Sequence, residues 1–251
     1  MRVTLIATLL ALLGASLLAL LSGCECAAPP RTEIPELRAS RASGAITIDG
    51  RLDEAAWQSA AVTERFVDTM SGAAASPRAT ARVTWDDDAL YVAFEVEDSY
   101  LRSTFEHQDD HTWEQDCVEL MIDPDGDGRS YVELQVSPRN VTFDTWFDSR
   151  RVPQPFGHID WDTGMRTAVD VRGTLNDESS DEGYVAELAI PWSAFASIGV
   201  PAARPEGGET WRVAMYVLDA VPNGQGGVGW SPPLVGDFHV PERFGRVMFA
   251  R

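Results

Sequence analysis

Between His111 and Asp148 the chain reads HTWEQDCVELMIDPDGDGRSYVELQVSPRNVTFDTWFD, a stretch whose side chains could recognise a polyol. Trp113 offers an aromatic face, Glu119 a pair of acceptor oxygens and Arg139 a fork of donors. Trp230, in a Gly-rich segment far along the chain, offers a second ring. A sugar has one face of C–H groups and an edge of hydroxyls. An aromatic ring stacks on the first, and carboxylate or guanidinium groups pair with the second. Trp113 has polar neighbours, which favours a ligand-facing ring over a core one. Trp230 stays open between those readings. Glu119 reads equally as a solvated strand residue, and Arg139 as a surface turn residue.

The run Asp123-Pro124-Asp125-Gly126-Asp127-Gly128 sets carboxylates at positions one, three and five and a glycine at six, the ligand order of a calcium loop. Glu133 falls one place short of the usual closing glutamate, and no helical pattern flanks the run, so it is not an EF-hand. Two readings remain: a short turn that binds Ca²⁺ with ligands from elsewhere, or a polar hairpin turn. The histidines are His107, His111, His158 and His239. None makes a close His-x-His or His-x₃-His pair with a strand carboxylate, which argues against zinc. There is no nucleophile elbow, phosphate loop or dinucleotide fingerprint.

The elements that must carry these residues are short strands. Ala79, Ala81, Val83 and Trp85 alternate with polar residues, and Leu90, Val92, Phe94 and Val96 repeat the pattern after an aspartate turn. Further strands are expected over Ala45–Gly50, Phe66–Val67, the three runs inside His111–Asp148, Thr167–Leu175, Tyr184–Ile190, Thr210–Leu218 and Gly245–Phe249. Val221–Pro233 reads as a Gly-rich loop. Pro191 starts a short helix, and Asp53 can cap another that buries Trp57. The expectation is an all-β protein: an antiparallel, jelly-roll-like β-sandwich with a few helical turns. Trp57, Trp85, Trp192 and Trp211 sit in apolar patterns and belong to its core.

With 251 residues, 44% of them hydrophobic, the chain can bury a sizeable core. A net charge of −19 repels phosphate backbones and argues against a nucleic-acid partner. All 20 basic residues are arginine, so chemistry that needs a lysine is excluded. Val3–Leu21 is an apolar run after Arg2, ending in Leu21-Ser22-Gly23-Cys24. That pattern predicts a lipoprotein signal over 1–23, with Cys24 as the acylated residue and membrane anchor. Residues 24–44, rich in Ala, Pro, Arg and Glu, read as a flexible tether, and 45–251 as the folded domain. Cys117, within a strand, reads as a small buried hydrophobe.

Several motifs recur in a telling order. They are Ile48-Asp49-Gly50 with Leu52-Asp53-Glu54-Ala55-Ala56-Trp57, and Trp85-Asp86-Asp87-Asp88-Ala89-Leu90-Tyr91-Val92-Ala93-Phe94. Asp116-Cys117-Val118-Glu119-Leu120, Tyr131-Val132-Glu133-Leu134 and Glu187-Leu188-Ala189-Ile190-Pro191-Trp192 follow. Trp230-Ser231-Pro232 and His239-Val240-Pro241-Glu242-Arg243-Phe244-Gly245 complete the set. From Ala45 to Arg251 the chain resembles the family 9 carbohydrate-binding module and its DOMON-like relatives. That resemblance implies a sandwich holding a terminal sugar between two tryptophans. Trp113 matches the first, Trp230 the second, Glu119 the strand carboxylate and Arg139 the site arginine. It also implies structural calcium, for which Asp123, Asp125 and Asp127 are the candidate ligands. The expected function is non-catalytic binding of a polysaccharide or oligosaccharide by an outer-membrane lipoprotein. Two alternatives follow from the relatives: a component associated with a glycoside hydrolase, or a haem or electron-transfer module. The latter use Met with Lys or His; here there is no Lys, and Met121, Met165 and Met215 have no obvious partner.

Overall fold

A computed structural model describes residues 28–200, 204–221 and 224–250. The expected signal and the lipidation residue Cys24 lie outside them. In chain order the elements are β1 (Glu36–Ser40), α1 (Ala55–Ser59), β2 (Ala61–Val62), β3 (Val67–Asp68), β4 (Arg78–Trp85) and β5 (Ala89–Glu97). Then come β6 (Cys117–Asp123), β7 (Arg129–Val136), β8 (Thr142–Ser149), β9 (Arg166–Arg172) and β10 (Gly183–Pro191). The chain ends with α2 (Trp192–Ser197), β11 (Thr210–Val221), β12 (Gly224–Gly229) and β13 (Gly245–Ala250). Two 3₁₀ turns, Thr112–Glu114 and Pro241–Arg243, lie between strands.

These strands form two sheets. The larger runs β1-β13-β11-β6-β7-β8, with β12 paired to β11 and β3 to β12; the smaller runs β2-β4-β5-β10-β9. The expected all-β sandwich is the observed one. Every pairing between these strands is antiparallel except β1 with β13, which is parallel. Alternation decides which side chains meet between the sheets. Val118, Leu120 and Ile122 of β6 and Val132, Leu134 and Val136 of β7 share one cluster with Ala79, Ala81 and Val83 of β4. Leu90, Val92, Phe94 and Val96 of β5 and Leu188 and Ile190 of β10 complete it. Trp85, Trp192 and Trp211 lie in this cluster as expected.

Both outer faces are also covered. On the smaller sheet, α1 lays Trp57 against Ala89, Tyr91 and Ala93. On the larger one, the residues of β6, β7, β8 and β11 that point away from the core form a second cluster: Cys117, Met121, Tyr131, Phe147, Tyr216 and Leu218. Cys117 is fully buried there as a free thiol. Because β6 is buried on both faces, all seven of its residues are inaccessible.

Three expectations are corrected. The tether proposed for 24–44 contains β1, whose Glu36–Ser40 pairs in register with Arg246–Ala250. Arg31 donates to the Trp230 carbonyl at 2.9 Å, and Arg243 to the Thr32 carbonyl at 2.9 Å. The folded unit therefore starts well before residue 45. A strand here covers an edge of β13 that would otherwise be open. Ala45–Gly50 is not a strand. The amides of Asp49 and Gly50 donate to the Glu187 carboxylate instead of to a ladder. Within the expected Gly-rich loop, Gly224–Gly229 forms β12, paired with Tyr216–Val221.

Candidate functional site

The outer face of the larger sheet carries a cavity of about 230 Å³. Its floor is built by pleat alternation: Glu119 and Met121 of β6, Glu133 and Gln135 of β7, and Phe143 and Phe147 of β8 point to the same side. Registers Glu119–Gln135 and Gln135–Phe143 put these residues side by side across three strands. Three loops make the walls. The 3₁₀ turn before β6 brings Trp113, the segment after β8 brings Arg151 and Phe156, and the segment before β13 brings Asp237, Phe238 and His239.

The floor is polar and almost inaccessible. Glu119 is 3% exposed, Glu133 7% and Gln135 0%. The Gln135 side-chain amide donates to Glu119 Oε2 and to Glu133 Oε1, each at 2.8 Å, while its carbonyl accepts from the Thr112 hydroxyl at 2.6 Å. Burial, then the neighbouring Glu133 charge, pushes the Glu119 carboxyl well above the usual carboxylate range. Burial pushes Glu133 up to about 7, against opposing pulls from Gln135 and Arg151. Glu119 Oε1 and the Tyr216 hydroxyl are buried without a hydrogen-bond partner. Such groups cost about 1–3 kcal/mol each when left unpaired, which makes them available to a ligand or to water.

Along one wall, His239 Nε2 lies 3.4 Å from Glu133 and its Nδ1 lies 2.8 Å from the Tyr131 hydroxyl. Burial, then Arg151, holds the imidazole down to about 3, so the ring is neutral. The contact with Glu133 is therefore not an ion pair near neutral pH. Arg151 grips Asp237 through Nε at 3.0 Å and Nη2 at 2.7 Å, and Arg150 takes its other oxygen at 2.8 Å. Burial opposes the charge on Asp237, but these two arginines outweigh it and hold the carboxyl at about 2.

The opposite rim is aromatic. Trp113 is half-buried, with Phe143 edge-on at 5.0 Å between centroids and Phe156 tilted at 5.3 Å. His111 stacks on it at 4.4 Å. Phe238, which lines the cavity, stacks on the buried Tyr216 ring at 4.4 Å between centroids. Gln225 of β12 donates to the Trp113 carbonyl and fixes the turn from the far side.

Of the four residues singled out for a ligand, two meet here and two do not. Trp113 and Glu119 line the one cavity. Trp230 is 1% exposed within the inter-sheet core, not on a loop surface. Its backbone amide continues the β11 ladder to Met215 and its ring fits against Gly245, so its segment is a packed strand end. Arg139 pairs with the exposed Glu106 at 2.9 Å and does not line the cavity. The turn at Ser137–Val141, closed by backbone bonds in both directions, aims Arg139 outward. The residues sequence reasoning passed over are Glu133, Gln135, Phe143, Arg151, Phe156, Asp237, Phe238 and His239. The signal for the floor was present in Glu119, Glu133 and Gln135, polar residues that share one face of two otherwise apolar strands.

Asp123, Asp125 and Asp127 do bring carboxylate oxygens within 4.8 Å of one another. Yet Asp123 already accepts from the amides of Gly126 at 2.9 Å and Gly128 at 3.0 Å, and Arg212 stands 3.5 Å away. Asp125 and Asp127 accept from the amides of Asp127 and Arg129. This is a self-capped hairpin turn with an arginine beside its buried carboxylate, and it fits a metal ion poorly.

A family model for carbohydrate family 9 binding domain-like proteins matches residues 48–251. The chain is 29% identical over 209 residues to exoglucanase XynX of Acetivibrio thermocellus, covering 82% of this chain and 16% of that protein. It is 27% identical over 206 residues to endo-1,4-beta-xylanase A of Thermotoga maritima, covering 81% and 17% respectively. The chain thus spans only a small fraction of the length of these relatives. In fold, it is similar to a putative carbohydrate-binding protein from Bacteroides uniformis (TM-score 0.69, 17% identity, 86% of this chain and 100% of the other). It is also similar to a family 9 carbohydrate-binding module from Caldicellulosiruptor kristjanssonii in complex with cellotriose (TM-score 0.59, 21% identity, 86% and 93%). With a family model matching across nearly the whole described sandwich, the chain belongs to the carbohydrate family 9 binding domain-like family.

Proposed function

We propose that this protein binds carbohydrate without cleaving it, taking one terminal ring of a neutral oligosaccharide or polysaccharide into the cavity above Gln135. The observation that carries this reading is the pairing of a buried Glu119–Gln135–Glu133 floor with an aromatic rim around Trp113. Hydroxyls would pair with the floor and a C–H face would meet the rim. At about 230 Å³ the cavity is smaller than the roughly 300 Å³ at which pockets for drug-sized ligands begin, which suits one ring rather than a chain. A neutral ligand is favoured because Glu119, Glu133 and Asp237 face the space while Arg151 is committed to Asp237.

Binding is favoured over hydrolysis by where the carboxylates stand. Glycosidases place two carboxyl groups on either side of the scissile bond. Here both rise from adjacent strands and share one amide, so both lie on the same side of anything in the cavity. The chain's anchorage is part of the same reading: a lipid on Cys24 would hold the sandwich at the outer membrane, and a Cys24→Ala protein would then be released to the soluble fraction.

The test is calorimetric titration of the purified chain with glucose, cellotriose and xylotriose, with product analysis of the same mixtures. Saturable binding without new saccharide products is the expected result. Absence of heat and of any melting-temperature shift at about 10 mM of each sugar would refute the reading.

A further inference from the structure

The two carboxyl groups on the cavity floor are served unequally by hydrogen-bond donors. Glu133 has a donor beside each oxygen. Its Oε1 accepts from the Gln135 side-chain amide at 2.8 Å, and its Oε2 lies 3.4 Å from His239 Nε2. Which end of that imidazole carries the hydrogen follows from the donors behind it. The Arg151 backbone amide donates to the Tyr131 hydroxyl at 3.2 Å, which leaves the hydroxyl's own hydrogen for His239 Nδ1, 2.8 Å away. With Nδ1 accepting, the neutral ring holds its hydrogen on Nε2, the end that faces Glu133.

Glu119 has a donor on one oxygen only. Its Oε2 accepts from the same Gln135 amide at 2.8 Å, while its Oε1 is buried with no partner. Tyr216 of β11 stands opposite Glu119 in the strand register, yet its hydroxyl is unpartnered too. The other groups nearby are engaged elsewhere. Cys117 of β6 lies 3.9 Å from the Gln135 side-chain oxygen, Arg151 is held by Asp237, and His239 sits between Tyr131 and Glu133. A buried carboxylate is stabilised by each N–H aimed at it, whereas a neutral carboxyl needs one oxygen clear of donors for its own O–H. Glu119 Oε1 is that oxygen. The order agrees with the electrostatics: burial and the Glu133 charge push Glu119 well above the usual carboxylate range, and Glu133 reaches only about 7.

We infer that just above neutral pH Glu119 is a neutral carboxylic acid with its hydrogen on Oε1, and that it meets the ligand as a hydrogen-bond donor while Glu133 carries the charge of the pair. The role toward a ligand rests on the carbohydrate reading; the position of the proton does not. A hydroxyl or ring oxygen of a sugar supplies the acceptor that the Oε1 hydrogen lacks within the protein. The floor thus asks for an acceptor above Glu119 and a donor above Glu133, not for two donors. It also disfavours a cationic ligand, which would have to displace the proton from Glu119 to be matched by both carboxylates.

Infrared difference spectra of the full chain at about pH 8, where ordinary carboxyls are ionised, locate the proton. Asp116, which burial pushes up to about 8, adds a carboxylic-acid band of its own, so wild type is compared with single variants. The expected result is a carboxylic-acid C=O band that is lost in Glu119→Gln and kept in Glu133→Gln; the reverse pattern, or no loss in Glu119→Gln, overturns the inference. Should Glu119→Gln not fold, carboxyl ¹³C shifts of wild-type protein labelled at glutamate decide the same point, with Glu119 expected to titrate above Glu133 and the opposite order overturning it. The donor role is read by calorimetric titration with cellotriose. Glu119→Gln, which keeps an N–H donor at that position, is expected to bind at least about tenfold more tightly than Glu119→Ala. Equal affinity of the two variants overturns the donor role while wild-type binding upholds the carbohydrate reading. Wild-type protein that binds no sugar removes that reading and the donor role with it, and the spectra still decide the proton's position.

Discussion

Gln135 governs the electrostatics of the cavity floor. One side-chain nitrogen 2.8 Å from each of two buried carboxylates cannot offset two full negative charges on a floor so little exposed to solvent. With Glu133 raised to about 7 and Glu119 raised well above the usual range, the pair retains a proton near neutrality. In the unfolded chain Glu133 titrates near its ordinary 4.5, so the folded state holds more protons between about pH 4.5 and 7. Its contribution to stability is complete below that window and declines as pH rises through it. Melting temperatures measured at pH 5 and pH 8 are expected to differ, with the lower value at pH 8, and Glu133→Gln should shrink the difference; an equal drop in that variant would count against the assignment. Asp237 acts in the opposite sense, since its carboxyl is held at about 2, and its stabilisation is lost only below about pH 4. For the proposed recognition, the residue to test is Trp113. Its half-buried ring means that Trp113→Ala should keep the fold while sugar affinity falls at least tenfold, as read by calorimetry alongside circular dichroism. Unchanged affinity would remove Trp113 from the site.

At the scale of elements, side chains take over bonds that ladders leave unmade. Glu187 of β10 is fully buried. Its Oε1 accepts from Trp57 Nε1 at 2.6 Å and its Oε2 from the amides of Asp49 and Gly50 at 2.9 and 2.5 Å. It thereby ties α1 and the turn before it to the outer face of the smaller sheet. Glu187→Gln presents an NH₂ where donors already point, and is expected to lower unfolding free energy by about 2 kcal/mol in urea titrations with an unchanged slope. On the larger sheet, a Cβ at Gly245 would lie 2.3 Å from the Trp230 ring. Gly245→Ala should therefore lower the melting temperature, whereas a ring on a mobile loop would move aside and leave it unchanged. That close fit is the physical reason Trp230 serves the core. Its sequence context of glycines and prolines resembles a loop, but the segment is pinned as a strand by β11 on one side and β3 on the other.

At the scale of the whole molecule, the sandwich closes through a strand donated by the segment read as a tether. β1 pairs in parallel with β13 along five residues, and Arg31 and Arg243 lock the chain around it. Removing residues up to Arg41 should leave β13 with an open edge, lower the melting temperature and promote self-association, measurable by light scattering. The two hairpins and the burial of Trp57, Trp85, Trp192 and Trp211 were legible from alternation, because a pleated strand imposes a period of two wherever one face is buried; the order of strands within the sheets was not. The family was legible from the order of motifs along the chain. The identity of the site was legible only in part. Trp113 and Glu119 stand beside residues that sequence distance conceals: Gln135, Phe156, Phe238 and His239 reach the cavity from β7 and from two later loops. Alternation tells that a side chain lies on one face or the other. It does not tell which face a distant loop will roof over, and so whether a polar residue there meets bulk water or a closed cavity. The sequence by itself determined the all-β class, most of the strands, four core tryptophans and the family. Only the tertiary structure decided which tryptophan lines a cavity and which is core, which acids are left without a counter-charge, and where the folded unit starts, because each depends on contacts between segments that period and propensity do not link.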